Sequence, residues 1–194
     1  YMETDKDTED AKTYITIEDH TNLDFDHNDF IFIMEGTQKH ITNDPVEYIY
    51  AVEDLGNADD FDFNDVVFDV AYLNNKTIIT IQAAGGTLPL KVQGKEVHEL
   101  FGVDVKTMVN TGIGNTLSPV MFEIDGVIQL NDIEISVLDT KANEYVLKSE
   151  CGKAPQKICI QNGNYQWTSE RQSIENKYPN FKYWVGNEEI NWLQ

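Results

Sequence analysis

Oxygen-bearing and aromatic side chains alternate in one stretch of the chain, Asp60-Phe61-Asp62-Phe63-Asn64-Asp65-Val66-Val67-Phe68. In extended backbone, the oxygens at every second position project to one side of the chain. A slight curl brings those oxygens together. Calcium takes roughly six to eight hard oxygen ligands, and EF-hand-type loops begin with the same Asp-x-Asp-x-Asn spacing. The stretch therefore predicts a calcium site formed by Asp60, Asp62, Asn64 and Asp65.

The same pattern occurs a second time, beginning at residue 24 instead of residue 60, as Asp24-Phe25-Asp26-His27-Asn28-Asp29-Phe30-Ile31-Phe32. An apolar residue and an acidic pair precede both copies, namely Ile17-Glu18-Asp19 and Val52-Glu53-Asp54. The repeat predicts two strand-loop-strand units. It adds Glu53 to the ligands of the first site and predicts a second site. That second site comprises Glu18, Asp24, Asp26, Asn28 and Asp29. The two copies bind separate ions or converge on one shared ion or ion pair.

Neither copy is a helix-loop-helix EF-hand, because Asp65 and Asp29 stand where that loop requires glycine. A loop between two strands is the expected geometry. Acidic clusters are commonly solvated faces or turns, which is the alternative interpretation. However, holding several carboxylates beside apolar residues is costly unless a cation neutralises them. All candidate ligands are oxygen atoms and neither copy contains cysteine, so calcium is the predicted cofactor.

The negative charge is concentrated in the repeated half of the chain. Residues 1–70 hold 20 acidic and 3 basic side chains, whereas residues 71–194 hold 14 and 11. Nucleic acid and anionic membranes bind clustered Lys and Arg, so they are not expected partners. The chain has no run of 18 apolar residues, and no membrane span is predicted. The polar start at Tyr1 suggests a mature or trimmed sequence without a signal peptide.

The pattern of apolar runs and turns predicts an antiparallel β-sandwich with a jelly-roll-like arrangement. Residues 1–12 are predicted to form a flexible acidic lead, and residues 13–194 a single β-rich domain. Within that domain, the duplicated units occupy residues 13–83, and residues 84–194 hold the other strands and a helical tail. Aromatic residues at helical spacing, interrupted by Pro179, predict two short helices in this tail. We expect Trp167, Trp184 and Trp192 to cap the sheets.

No catalytic residue is predicted, because the chain contains neither Gly-x-Ser-x-Gly nor His-Glu-x-x-His. His98, between Glu96 and Glu99, is interpreted as structural. Cys151 and Cys159 are the only thiols, and they form either a disulfide or two buried free cysteines. Paired carboxylates for glycoside cleavage are the remaining enzymatic alternative, and a calcium-assisted glycosidase is the least favoured function.

Several motifs together resemble the LruC-type domain. They are Glu-Asp-Leu-Gly at 53–56, Asp-Phe-Asp-Phe-Asn-Asp-Val-Val-Phe-Asp at 60–69, Ala-Gly-Gly-Thr-Leu-Pro-Leu at 84–90 and Glu-Val-His-Glu-Leu-Phe-Gly at 96–102. Tail positions extend the likeness: residues 153–159, Trp167, Arg171, Tyr178-Pro179 and Trp184-Val185. The resemblance implies a β-rich protein of the Gram-negative envelope, which is periplasmic, exposed on the outer membrane or secreted. It also implies a possible lipoprotein anchor in the precursor, and it implies no reaction.

The sequence thus favours a secreted or surface-exposed calcium-binding β-sandwich module with a structural or binding role. Two alternatives keep the fold and change the partner. One is a module that binds a glycan or surface polymer. The other is an adhesion or assembly subunit with a protein partner.

Overall fold

The computed structural model describes three strands in the first part of the chain and most of the remainder. The described residues are 2–4, 13–17, 30–34, 48–54, 60–149, 155–161, 165–186 and 191–193. The chain divides into two compact units, Tyr1–Asp44 and Pro45–Gln194. This division differs from the single domain predicted over residues 13–194, because each copy of the repeat pairs its strands within a different sheet.

The first unit contains a three-stranded antiparallel sheet in the order β1-β2-β3. Its strands are β1 (Met2–Thr4), β2 (Thr13–Ile17) and β3 (Phe30–Met34). Met2 pairs with Ile15, so residues 2–4 belong to the sheet, and the prediction of a flexible lead is wrong for them. The backbone groups of β2 provide the hydrogen-bonding partners that hold this short strand.

The second unit contains two antiparallel sheets, joined by short turns and loops. Asn74 and Asn75 both have positive φ and form the tight turn between β5 and β6. The five-stranded sheet has the order β12-β4-β5-β6-β9, and its strands are β4 (Tyr48–Val52), β5 (Val66–Leu73), β6 (Lys76–Ala83), β9 (Val120–Asp125) and β12 (Lys157–Gln161). The four-stranded sheet has the order β11-β10-β7-β8, and its strands are β7 (Leu90–Val92), β8 (Lys95–Glu96), β10 (Ile135–Leu138) and β11 (Glu144–Val146).

The main core is shared by residues of the two sheets. Tyr50 and Phe68 from the five-stranded sheet belong to the same buried cluster as Leu90 and Ile135 from the four-stranded sheet. The Tyr50 and Phe68 rings stack with their centroids 4.9 Å apart. An antiparallel β-sandwich is therefore confirmed. Helix α1 (Val97–Phe101) packs against this core through Val97.

The second face of the five-stranded sheet is covered by residues 165–186 and 191–193, here termed the C-terminal cap. It contains helices α2 (Ile174–Lys177) and α3 (Phe181–Gly186), the two short helices predicted on either side of Pro179. Side chains of the cap share a second core with this face of the sheet, including Ile49, Ala51 and Val67. Strands β4 and β5 are thus buried on both faces, which explains their continuous apolar sequence.

All three tryptophans of the chain lie in the C-terminal cap. Trp192 is buried, and the rings of Trp184 and Phe181 each lie within 5.3 Å of its ring. Trp167 packs against the same cluster and donates a hydrogen bond from its ring nitrogen to Asn110 O at 3.0 Å. Their predicted role in capping a sheet is confirmed.

Two irregular segments separate strands of this unit. Residues 103–108 form loop and turns, with an isolated bridge at Val109. Residues 127–134 precede β10 and contain a 3-10 turn at Leu130–Asp132. No helix in the described part of the chain combines the length and hydropathy needed to cross a membrane.

Candidate metal centre

Both copies of the acidic motif connect neighbouring antiparallel strands. The loop of residues 53–65 begins after Val52 and ends before Val66, which are paired across β4 and β5. In the first unit, the corresponding pair is Ile17 and Phe30, across β2 and β3. The two predicted strand-loop-strand units are therefore both present, with equivalent closing pairs. The proposed ligands of the first copy, Glu18, Asp24, Asp26, Asn28 and Asp29, lie outside the described residues.

Three carboxylates of the second loop converge on one point. One oxygen from each of Glu53, Asp60 and Asp62 lies within 4.8 Å of the other two. Two calcium ligands on opposite sides of an ion are about 4.8 Å apart, since each lies about 2.4 Å from the ion. These three oxygens therefore fit within a single coordination sphere.

The backbone that brings these carboxylates together is not the gently curled strand expected from the sequence. Phe61 and Phe63 have φ values of +52° and +51°, in the left-handed region that side chains rarely adopt. The two ring centroids lie 6.5 Å apart, but the rings differ in burial. Phe63 is fully buried in the second core, whereas Phe61 is 37% exposed. Asp62, between them, is 2% exposed, so its two carboxylate oxygens lie inside the protein.

Hydrogen bonds fix the two more buried carboxylates. Glu53 Oε1 accepts a hydrogen bond from Phe63 N at 2.6 Å, within the loop. Asp62 accepts from Arg171 N in the C-terminal cap at 2.7 Å through Oδ2, and from Asn64 N at 3.2 Å through Oδ1. These bonds leave each carboxylate with further lone pairs for a cation, because a carboxylate offers about four acceptor sites.

Burial and mutual repulsion make the ionised forms of these groups unfavourable. Burial raises the pKa of Glu53 to about 8, and the neighbouring Asp62 and Asp60 carboxylates add to the shift. Burial also raises the pKa of Asp62 to about 6, with a further contribution from Asp60 and opposing hydrogen bonds from the backbone. A bound cation would reverse both effects, because an opposite charge nearby favours the carboxylate form.

Asp65 and Asn64, also predicted as ligands, lie outside the three-carboxylate group. Asp65 Oδ2 accepts a hydrogen bond from Asp54 N at 2.6 Å, and its pKa is raised to about 9 by burial and then by the charge of Asp54. Asn64 is fully buried and donates from Nδ2 to Thr168 O at 3.2 Å. In this structure Asp65 flanks the site beside Asp54, and Asn64 connects the loop to the C-terminal cap.

Glu170 is a carboxylate near this group that sequence reasoning did not identify. The next residue in the chain, Arg171, donates its backbone N–H to Asp62. Burial raises the pKa of Glu170 to about 7, and the charges of Asp62 and Asp60 add to the shift. Its exposed neighbour Arg171 lies 3.9 Å away between Nε and Oε1, with 77% of the Arg171 side chain accessible. Such an exposed pair offsets little of the local negative charge. No local sequence pattern marks Glu170, because its proximity depends on how the cap packs.

Two buried polar atoms next to the site lack hydrogen-bond partners among the described residues. They are the hydroxyl of Tyr165, a residue 6% exposed, and Oδ1 of the fully buried Asn64. The pKa of Tyr165 is raised by burial, and the charges of Tyr178, Asp62 and Glu53 add to the shift. Buried polar groups without partners are uncommon in proteins.

The Gly85-Gly86 pair supports the loop from behind. The backbone N–H groups of both glycines donate to Asp65 O at 3.1 Å, and Gly85 N also donates to Asn64 O at 3.0 Å. A Cβ atom on Gly85 would lie 2.3 Å from Asn64 Oδ1, so this position has no room for a side chain. Gly85 and Gly86 therefore support the backbone of the acidic loop.

Two further predicted features lie away from this site. His98 is fully buried and its Nδ1 is 3.0 Å from Glu96 Oε1, which fits the structural role expected for it. Cys159 is a free and exposed thiol on β12, and Cys151 lies outside the described residues. Comparison of the chain with protein-family models, with curated proteins and with solved structures finds no match.

Proposed function

We propose that this chain is a secreted or surface-exposed β-sandwich module whose 53–65 loop binds calcium. The observation that carries the proposal is the convergence of Glu53, Asp60 and Asp62 to within 4.8 Å in a partly buried loop. Holding three carboxylates so close without a counter-ion is unfavourable, since each raises the free energy of ionising its neighbours. A divalent cation turns that repulsion into attraction.

The chemistry of the donors favours calcium over other metals. All three groups are carboxylates, which suit hard cations, whereas zinc and copper sites use mainly imidazole and thiolate ligands. Magnesium requires near-ideal octahedral geometry at roughly 2.0–2.1 Å. Calcium accepts irregular sites with longer bonds, which suits an irregular loop with two left-handed residues, Phe61 and Phe63. The first copy of the motif is proposed to bind calcium in the same way.

The role proposed for the ion is structural. The loop connects β4 and β5, whose residues are buried on both faces of the five-stranded sheet. An ion that holds the loop therefore stabilises the strands most central to the unit. The resemblance to LruC-type domains supports placing the module in the envelope of a Gram-negative bacterium or outside the cell.

Calorimetric titration of the chelator-treated full chain with calcium chloride tests this proposal. We expect binding with a Kd of roughly 10 µM or tighter, in the range of sensor-type sites. The double variant Asp60→Asn/Asp62→Asn should weaken binding at the second loop at least about tenfold, because it removes two charged ligands of the ion. Asp125→Asn/Asp132→Asn changes two exposed aspartates by the same charge and should bind as the unmodified chain does.

The variant Asp24→Asn/Asp26→Asn distinguishes calcium binding by the first copy of the motif from calcium binding by the second. Loss of one of two calcium ions in each double variant indicates separate sites, whereas loss of all binding in either variant indicates a shared ion. A chelator-treated chain that gives no heat with calcium and no change in melting temperature would refute the proposed function.

A further inference from the structure

Thr168 in the C-terminal cap is hydrogen-bonded to the acidic loop on both sides of Phe63. Its hydroxyl Oγ1 donates to Asp62 O at 2.7 Å, and its carbonyl oxygen accepts from Asn64 Nδ2 at 3.2 Å. Thr168 is 5% exposed, so both bonds lie inside the protein. Buried hydrogen bonds are costly to break without replacement. Thr168 therefore fixes the part of the loop that carries the Asp62 carboxylate.

The cap holds Asp62 at a second point, through its side chain. Arg171 N donates to Asp62 Oδ2 at 2.7 Å, and Ile174 N donates to Phe61 O at 2.7 Å, one residue earlier in the loop. Asp62 is buried, whereas the other two converging carboxylates are only partly buried. The cap thus contacts the loop at the proposed ligand that lies deepest in the protein.

The backbone conformation that these bonds hold is unfavourable for the loop by itself. Phe61 and Phe63, on either side of Asp62, have φ values of +52° and +51°, which residues with side chains rarely adopt. This backbone carries an Asp62 oxygen to within 4.8 Å of the other two carboxylates. The bonds from the cap end on the carbonyl groups of residues 61 and 62, so they hold the peptide groups on both sides of Asp62. A docked cap and a bound cation therefore favour the same loop conformation.

We infer that Thr168 is a positioning residue of the metal centre, and that the docked cap and the bound cation stabilise each other through Asp62. This inference rests on the proposed function. Coupling between two binding events is reciprocal. A cap that loses its bond to the loop lowers calcium affinity, and removal of calcium loosens the cap. The cap covers an apolar face of the five-stranded sheet, so that face is less firmly covered in the ion-free chain.

The deciding variants change the Thr168 side chain alone. Thr168→Val replaces the hydroxyl by a methyl group of similar size. Calorimetric titration of the chelator-treated full chain with calcium chloride should show about tenfold weaker binding at the 53–65 loop, as is typical when a partner of a metal ligand is removed. This binding is the part that is weakened in Asp60→Asn/Asp62→Asn. Thr168→Ser retains the hydroxyl and should bind calcium as the unmodified chain does.

Tyr178→Phe is the matched control within the cap. The Tyr178 hydroxyl accepts a hydrogen bond from Gln166 N at 2.9 Å, so this variant removes a hydroxyl bond inside the cap instead of one to the loop. Both Thr168→Val and Tyr178→Phe should lower the melting temperature. Only Thr168→Val should lower calcium affinity.

The tryptophans report on the cap, because all three lie in it. Trp167 precedes Thr168 in the chain, and its ring nitrogen donates to Asn110 O at 3.0 Å. Tryptophan fluorescence of the chelator-treated chain should change at the calcium concentrations at which calorimetry detects binding by the 53–65 loop. In Thr168→Val, both titration curves should move together to about tenfold higher calcium.

The results distinguish the inference from the proposed function. Absence of calcium heat in the unmodified chain removes both. Calcium binding by the 53–65 loop with equal affinity in the unmodified chain and Thr168→Val, or without any change in tryptophan fluorescence, refutes the coupling and leaves the calcium site intact. A loss of affinity that is equal in Tyr178→Phe, or that Thr168→Ser shares, refutes the role assigned to the Thr168 hydroxyl.

Discussion

The stability of the ion-free protein should fall as the pH rises from about 5.5 to 8, and Glu53 is the group expected to contribute most clearly. Its pKa is raised from 4.5 to about 8 in the folded protein. Between these values the folded state binds more protons than the unfolded state. The free energy of unfolding then decreases with increasing pH. Asp65, Asp62 and Glu170 have raised pKa values and act in the same direction.

The size of the effect follows from Glu53 alone. One pKa unit corresponds to about 1.4 kcal/mol, so an isolated Glu53 would lose about 2 kcal/mol of stability between pH 5.5 and 7. Its partial exposure and its coupling to other carboxylates reduce this to about 1 kcal/mol. For a unit of this size, that corresponds to a fall of about 2–4 °C in melting temperature. Saturating calcium should abolish the decline, because the ion favours the ionised forms.

Thermal unfolding in chelator at fixed ionic strength, from pH 5.5 to 8, measures this effect. The variant Glu53→Gln should show a flatter pH dependence, whereas Glu134→Gln, which alters an exposed glutamate, should retain the unmodified slope. Glu96, Asp139 and Glu144 have lowered pKa values, so their contribution to the stability of the folded protein is lost only at lower pH. They do not contribute to a change in stability between pH 5.5 and 8. A melting temperature in chelator that is equally pH-dependent in both variants would refute the reasoning.

Two further predictions concern the packing around the loop. Gly85→Ala should lower the free energy of unfolding by about 2 kcal/mol, because the added Cβ would overlap Asn64 Oδ1. Chemical denaturation measures this change. Gly94 has a positive φ but no atom within 4 Å of an added Cβ, so Gly94→Ala should lower the free energy of unfolding by less. Equal losses of stability in the two variants would contradict the role of Gly85 in supporting the acidic loop. Phe63→His should lower the free energy of unfolding by about 3 kcal/mol, because it removes a buried phenyl ring whose centroid lies 5.5 Å from that of Phe181. Calorimetry should still detect calcium binding in this variant. The same change at the partly exposed Phe61 should cost less, and loss of calcium binding in Phe63→His alone would show that the ring organises the ligands.

The parts of the fold that the sequence predicted are those encoded locally. Alternating apolar residues set the strands, and Pro179 separates the two helices of the tail. The hairpin geometry of the acidic loops was predictable because each motif is flanked by apolar runs that pair. The strand β1 was not, since its short acidic sequence gains a partner only through the sheet.

The metal centre was predicted only in part, because its geometry depends on tertiary contacts. The convergence of Asp60 and Asp62 follows from their spacing, and Glu53 follows from its position at the end of β4. By contrast, the left-handed backbone at Phe61 and Phe63 has no signature in residue type. The hydrogen bonds between the cap and the loop, such as that from Arg171 N to Asp62, span more than a hundred residues and have no local sequence pattern either.

Within the six residues Asp-Phe-Asp-x-Asn-Asp, the one position at which the two copies differ has a structural meaning. Asp-Phe-Asp-x-Asn-Asp is common to both copies, and x is His27 in the first and Phe63 in the second. In the second copy, Phe63 is fully buried and packs against Phe181 of the C-terminal cap. The shared residues include the carboxylates proposed to bind the ion, and two of them, Asp62 and Asn64, also form hydrogen bonds with the cap. The residue that differs adds an aromatic contact with the cap and is not a proposed ligand, so the difference between the copies changes the packing around the loop and leaves the proposed ligands the same.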